Sequence, residues 1–279
     1  MTGPNVLEFR QYRYLKLALA LAAASIAVWI WAKDSDVVVS FGGTFMGYVL
    51  GAISAMIVLL LTWYGVRKRS YFSSVGTVQG WLSMHVYLGL ALVVVGSLHT
   101  GFQFGWNVHT LAYALMMAVI ASGVFGLVVY VRLPAEISRN LADDTLDSIL
   151  LEIADFDRTA ARTALELPDA VIRLVTRAIN ETRIGGSVRD QLRGTQKNDP
   201  TEAALTDMEG LSSTLTGASA ATGTSLFGIL ARRAVLVRRA RRDIQLRAQL
   251  SIWLYVHVPM TIALLVALAA HVTAVLVYR

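Results

Sequence analysis

WLSMHVYLGLALVVVGSLHTGF, residues 81–102, and IWLYVHVPMTIALLVALAAHVTAVLVY, residues 252–278, decide how this chain folds. Neither run contains Asp, Glu, Lys or Arg, and each carries two histidines 14 positions apart. Each exceeds the ~20 mostly apolar residues that a helix needs to cross a bilayer. Three further runs meet the same test: Tyr14–Ala32, Phe41–Tyr64 and Val108–Val131. All six tryptophans (Trp29, Trp31, Trp63, Trp81, Trp106 and Trp253) fall near the ends of these spans, where an interfacial aromatic belt belongs.

Composition agrees. Of the 279 residues, 55% are hydrophobic and 16% charged, with a mean hydropathy of +0.55, whereas a soluble domain carries about 25% charged residues. The expected fold is therefore an all-α integral membrane bundle of five transmembrane helices. Residues 1–132 supply four of them, 133–250 form a helical, partly disordered cytoplasmic insert, and 251–279 complete the bundle. The apolar run of the first span exceeds a signal peptide's h-region, and no clear small-x-small cleavage site follows, so it reads as an anchor. The absence of cysteine excludes disulfides, thiolate iron–sulfur ligation, Cys-based zinc sites and covalent c-type haem within this chain.

The net charge of +6 and a pI near 9.7 would also suit nucleic-acid binding, but the basic residues sort by membrane side instead. Arg10, Arg13, Lys16, Arg67, Lys68, Arg69, Arg132 and Arg139 fall on one side, with Arg232, Arg233, Arg238, Arg239, Arg241, Arg242 and Arg247, against Lys33 and Arg279 on the other. The positive-inside rule then puts the amino terminus in the cytoplasm and the carboxy terminus outside. The run 232–247 reads as topogenic charge in contact with anionic lipid headgroups. No nucleic-acid partner is expected.

Within the insert, Leu146, Ile149, Leu150 and Ile153 recur at helical spacing, so Leu141–Ile179 reads as helix. Residues 136–169 are strongly acidic, with nine Asp and Glu against three Arg. From Gly185 to about Gly223 the chain turns to Gly, Ser, Thr, Asp and Asn and reads as mobile. From about Leu226 helix resumes and runs unbroken into the fifth span. No GxGxxG in a strand–helix context, Walker loop, ferredoxin cysteine set or solenoid repeat occurs.

Four of the five histidines carry the chemistry. His85 and His99 lie in the third span, His257 and His271 in the fifth. Fourteen positions are about 21 Å of helix rise and within about 40° of four full turns, so both imidazoles of a pair face one way at opposite edges of the hydrocarbon. Spans three and five run in the same direction. His85 therefore matches His257 in depth at the cytoplasmic edge, and His99 matches His271 at the outer edge. Two axial nitrogens on one iron stand about 4 Å apart, twice a metal–imidazole bond of about 2 Å. One helix's own pair cannot share a metal, but matched members of two facing helices can hold a haem between them. Two b-type haems are expected, His85/His257 inside and His99/His271 outside, with both axial positions closed, as suits electron transfer.

Gly89 and Gly96, seven apart on the histidine face, would let a flat macrocycle approach or would serve close helix packing. Pro259 would free a backbone carbonyl or simply kink its helix. His109, in the segment Gly105-Trp106-Asn107-Val108-His109, starts span four at the outer edge. It is read as an interfacial residue, a propionate contact of the outer haem, or part of a quinone or proton site. Arg67, Lys68 and Arg132 are counter-ion candidates for inner-haem propionates as well as topogenic charges.

Paired His-x13-His on two helices resembles the di-haem cytochrome b of quinol–cytochrome c oxidoreductases and the membrane domain of ferric reductases and NADPH oxidases. The resemblance covers spans three to five and rests on His85, His99, His257 and His271. Trp253-Leu254-Tyr255-Val256-His257-Val258-Pro259 also resembles the last helix of bacterial inner-membrane di-haem cytochromes that accompany periplasmic cytochromes c. It implies electron transfer through two b haems in a bacterial inner membrane; since no cytoplasmic cofactor domain is evident in the sequence, the expected circuit joins the quinone pool to a periplasmic cytochrome c or other redox subunit. The chain departs from these families in lacking a flavin domain and a quinol-oxidation loop motif, and in its large insert, so the ligands carry over and the substrates do not. The alternatives are the membrane part of a ferric or metal reductase fed by a separate dehydrogenase, and a metal-transport or chlorin-binding protein.

Overall fold

The computed structural model describes residues 6–33, 43–69, 76–142, 144–212 and 215–277. Phe41, Asp143, Tyr278 and Arg279, used in the sequence reading, lie outside the described residues. A short 3-10 turn, Val6–Glu8, precedes α1 (Arg13–Lys33), α2 (Phe45–Arg69), α3 (Val78–Thr100), α4 (Val108–Leu141), α5 (Leu146–Ala164), α6 (Asp169–Glu181), α7 (Val188–Arg193), α8 (Pro200–Ser212) and α9 (Ala218–Val277). No strand occurs among the described residues. Five helices are long and apolar enough to cross a membrane, and each covers most of one expected run. The protein is an all-α membrane protein.

The chain divides into two compact units, residues 1–127 with 253–279, and residues 128–252. In the first, α3 packs on α2 and α1. Ile57 and Val58 of α2, Leu88 and Leu92 of α3, Met116 of α4 and Leu264 of α9 share one buried cluster. The outward faces leave Trp31, Phe45, Met56, Val266 and Leu276 exposed. So much bare apolar surface would be a liability in water and is what lipid requires.

The ends of α3 set the height of its histidines. The Thr77 side chain accepts a hydrogen bond from the Gly80 amide and caps the start, while Gly101, at φ +56°, closes the end in the left-handed region that favours glycine. His99 thus stands in the last turn. Pro259 lies inside α9 without ending it, so helix runs unbroken from Ala218 into the fifth span, as expected.

The second unit differs from its sequence reading in three ways. The stretch expected as one helix is broken at Leu165–Pro168, where Pro168 takes an extended ψ of 151° before α6 begins; proline cannot donate to the ladder. Within the polar stretch 185–223 the structure places α7 and α8. A reciprocal Ser187/Asp190 capping box starts α7, and Met208 of α8 is buried in a cluster with Leu167, Val171, Leu226 and Leu230.

The arginine run is the third difference. Arg233 pairs with Asp157, Arg238 with Glu202, Arg239 with Asp144, Arg241 with Asp199, Arg242 with Glu136 and Arg247 with Asp243. Arg233 and Arg241 are buried, at 2% and 7% exposure. Arg241 also donates to the Arg183 carbonyl at 2.9 Å and the Gln196 side chain at 2.9 Å. These six side chains pair with acids of their own unit.

Candidate functional site: two levels of imidazoles

All five histidines lie in the first unit and are half-buried. α2 turns positions 47, 51, 54, 58 and 61, spaced four and three apart, along one helix face. Its backbone serves both histidines of α3. His99 Nδ1 donates to the Gly47 carbonyl at 2.8 Å, and His85 Nδ1 donates to the Leu61 carbonyl at 3.1 Å. A carbonyl only accepts, so each neutral ring must carry its proton on Nδ1. That leaves the lone pair on Nε2 for a metal. Orientation of a ligating histidine by its other nitrogen is the usual outer-shell arrangement of metal sites.

α4 plays the matching part for α9. The Ser122 hydroxyl lies 3.3 Å from His257 Nδ1, and the Ser122 carbonyl accepts from Trp253 Nε1 at 2.8 Å. Trp253 also stacks at a tilt on His257, with ring centres 5.3 Å apart, while Tyr64 sits 5.2 Å from His85.

At the outer level His99, His109 and His271 converge. One ligand atom from each lies within 4.8 Å of the others, against the ~4 Å that separates two axial nitrogens. The His99 and His271 ring centres are 6.2 Å apart with their planes at 66°. Two bonds of about 2 Å, with about 1 Å from each nitrogen to its ring centre, give about 6 Å for a bis-imidazole iron. The His99–His271 separation suits such a group, but the His109 ring, 5.2 Å from that of His99 and 4.8 Å from that of His271, lies between them where the macrocycle itself would stand, so His109 must turn aside for a haem to enter.

Glycines make room. A Cβ on Gly51 would fall 2.6 Å from His99 Cε1, and one on Gly126 would fall 2.0 Å from Trp253 Cε2. On Gly123 it would meet His257 Cε1 at 3.6 Å, an ordinary contact. Gly89 and Gly96, the glycines singled out by the sequence, stand differently. Gly96 faces Met116 Cε at 2.7 Å, so it serves close packing on α4, and Gly89 meets only Leu61 Cδ1 at 3.8 Å. The pairs Gly47-x3-Gly51 and Gly123-x2-Gly126 inside apolar spans were the available signal for the glycines that do touch the site.

Arg67, the counter-ion candidate at the cytoplasmic edge, is buried and donates to the Gly76 carbonyl at 2.8 Å; Lys68 is exposed, as is Arg132 in the second unit. Midway along the α2 face, Ser54 Oγ is buried without a hydrogen-bond partner. No protein-family model, curated protein or solved structure matches the chain.

Proposed function

We propose that the chain carries electrons across a membrane through two b-type haems, His85 and His257 holding one and His99 and His271 the other. The observation that carries this reading is the arrangement around the four imidazoles: both rings of α3 give their Nδ1 protons to α2 carbonyls, 14 residues apart, and so present Nε2 at two heights. Each Nε2 of α3 is thereby left available to a metal. Bound there, each haem would supply a one-electron carrier.

The protein's own part is positional. α3 and α9 present the ligands, α2 and α4 orient them, and Gly51 lets α2 close on His99. No carboxylate or thiol stands in the apolar stretches of the spans, which disfavours a metal-transport path. On this reading the membrane is a bacterial inner membrane, the amino terminus is cytoplasmic and the carboxy terminus periplasmic. The partners are the quinone pool and a periplasmic cytochrome c or other redox subunit.

The test uses purified protein in vesicles, with cytochrome c enclosed and a quinol added outside. Reduction of the enclosed cytochrome c that requires the protein, and that fails in a His85→Ala variant, supports the reading. Vesicles containing the intact protein that reduce no faster than empty ones oppose it.

A further inference from the structure

The outer level crowds three imidazoles into one place. His109 Nδ1 lies 3.4 Å from His271 Nε2, and the His109 ring centre is 4.8 Å from that of His271 and 5.2 Å from that of His99. A macrocycle held by His99 and His271 would have to stand where the His109 ring is. A bare cation has the opposite requirement, because its donors converge on a point instead of facing each other across a plane. Metal–imidazole bonds of about 2.0–2.1 Å put the corners of a tetrahedron about 3.3 Å apart, and the His109–His271 nitrogen pair already stands near that spacing. One ligand atom from each of the three residues lies within 4.8 Å of the others. The widest gap thus exceeds the tetrahedral edge by about 1.5 Å, which side-chain rotation can close.

The surroundings suit the same occupant. His99 Nδ1 donates to the Gly47 carbonyl, so its Nε2 is free to ligate and its ring is held from the outer shell. All three side chains are half-buried, and residues 102–108 beside them are exposed, which gives an ion a way in. At the matching place on the inner level, α4 offers His257 the Ser122 hydroxyl instead. Among the described residues, His99, His109 and His271 form the only group of three histidine, cysteine or acidic side chains placed to share a metal. An all-imidazole set suits zinc, copper or nickel and not the oxygen-seeking cations.

We propose that His99, His109 and His271 form a three-histidine site for a single divalent transition-metal cation of the zinc class, its fourth position left to water, and that this cation and the outer haem exclude one another. The site stands without the di-haem reading; only the exclusion rests on it.

The experiment uses the full-length chain without a polyhistidine tag, made without a haem supply, with Zn2+ as the probe counted by equilibrium dialysis. The expected result is one tightly held zinc per chain. His109→Ala should weaken it at least about 100-fold, since outer-shell partners alone are worth about 10–100-fold, with the helical signal intact. His85→Ala, at the inner level, should keep the zinc. No zinc in the parent, zinc held equally well by His109→Ala, or zinc lost as fully in His85→Ala overturns the proposal. If His109→Ala does not fold, His109→Phe, closer in shape, replaces it and is judged by the same outcomes. Haem added to the zinc-loaded chain should fill one level, and both once the zinc is chelated; two haems entering beside a retained zinc overturn the exclusion. If the haem-free chain lacks its helical signal, apomyoglobin draws haem from the chain as purified. Zinc gained as the outer haem leaves then supports the proposal, and that haem lost with no zinc gained overturns it. A chain that binds zinc but never haem removes the di-haem reading and keeps the site. Two haems in the parent, with no zinc site in the haem-free chain, remove only the proposal.

Discussion

A histidine inside an apolar bundle must find partners for two ring nitrogens, because an unsatisfied polar group there costs several kcal/mol. α2 satisfies one nitrogen of His85 and one of His99 by backbone carbonyls, and what it leaves open is Nε2. His85→Ala and His257→Ala should therefore each remove one haem, and the same one. Redox titration checks this: the centre left behind has one midpoint potential in both variants, and two different residual centres would contradict the pairing. Ser122→Ala removes an outer-shell partner of His257 and should weaken the inner site about 10–100-fold, read as haem retention against apomyoglobin competition. At Gly51, an alanine Cβ would lie 2.6 Å from His99. Gly51→Ala should destabilise the protein by about 1–3 kcal/mol through overpacking and disturb the outer centre more than the inner, read by thermal unfolding and the low-spin spectrum. The levels of the four imidazoles were read from their spacing, since 14 residues close nearly four helical turns whatever surrounds them, and at the outer level the structure brings His99 and His271 together. The orienting groups were not legible in the sequence. Nothing in the sequence says which helix lies beside α3, so the carbonyls of Gly47 and Leu61 and the hydroxyl of Ser122 became visible only in the packed bundle.

Among the elements, α9 shows how far charge can mislead. Read as a string, 232–247 looks like a basic strip facing headgroups; folded, it is the side on which the insert is assembled. The reason it could not be read is distance along the chain, since Arg242 and Glu136 are 106 residues apart. Arg233, at 2% exposure, meets Asp157 and Thr201. Arg233→Ala leaves a carboxylate without its partner and should cost about 3–5 kcal/mol, seen as early loss of helical signal on heating. The exposed Arg158–Asp155 pair should be worth less than about 1 kcal/mol. At α7, the Ser187 hydroxyl donates to Asp190 Oδ2 at 2.6 Å, and this bond holds the carboxyl below its usual range. A folded-state pKa below the unfolded one means that the cap is fully formed above the ordinary Asp value of about 3.9 and is lost as pH falls through the lowered value. Amide exchange at Gln191 should accelerate over that acid range beyond its intrinsic pH dependence, and the extra acceleration should vanish in Asp190→Asn.

For the whole molecule, five crossings would put the two ends of the bundle on opposite sides, and the proposed orientation has the basic flanks in the cytoplasm. The absence of cysteine makes this easy to measure. A single cysteine at Ser148 should react with an impermeant maleimide only when the cytoplasmic face is open, and one at Asn107 only from the outside; the reverse pattern would invert the topology. Fold class and spans were legible because a bilayer imposes length and polarity on every crossing helix. The division at residues 127–128 and 252–253 also lies close to where the apolar runs end. The central claim is that this bundle carries two iron porphyrins, one at each level of imidazoles, and the most direct measurement is the pyridine haemochrome of the purified full-length chain against its protein concentration. The account predicts two b-type haems per chain; a chain that purifies folded with none, or with a chlorin spectrum in their place, would contradict it.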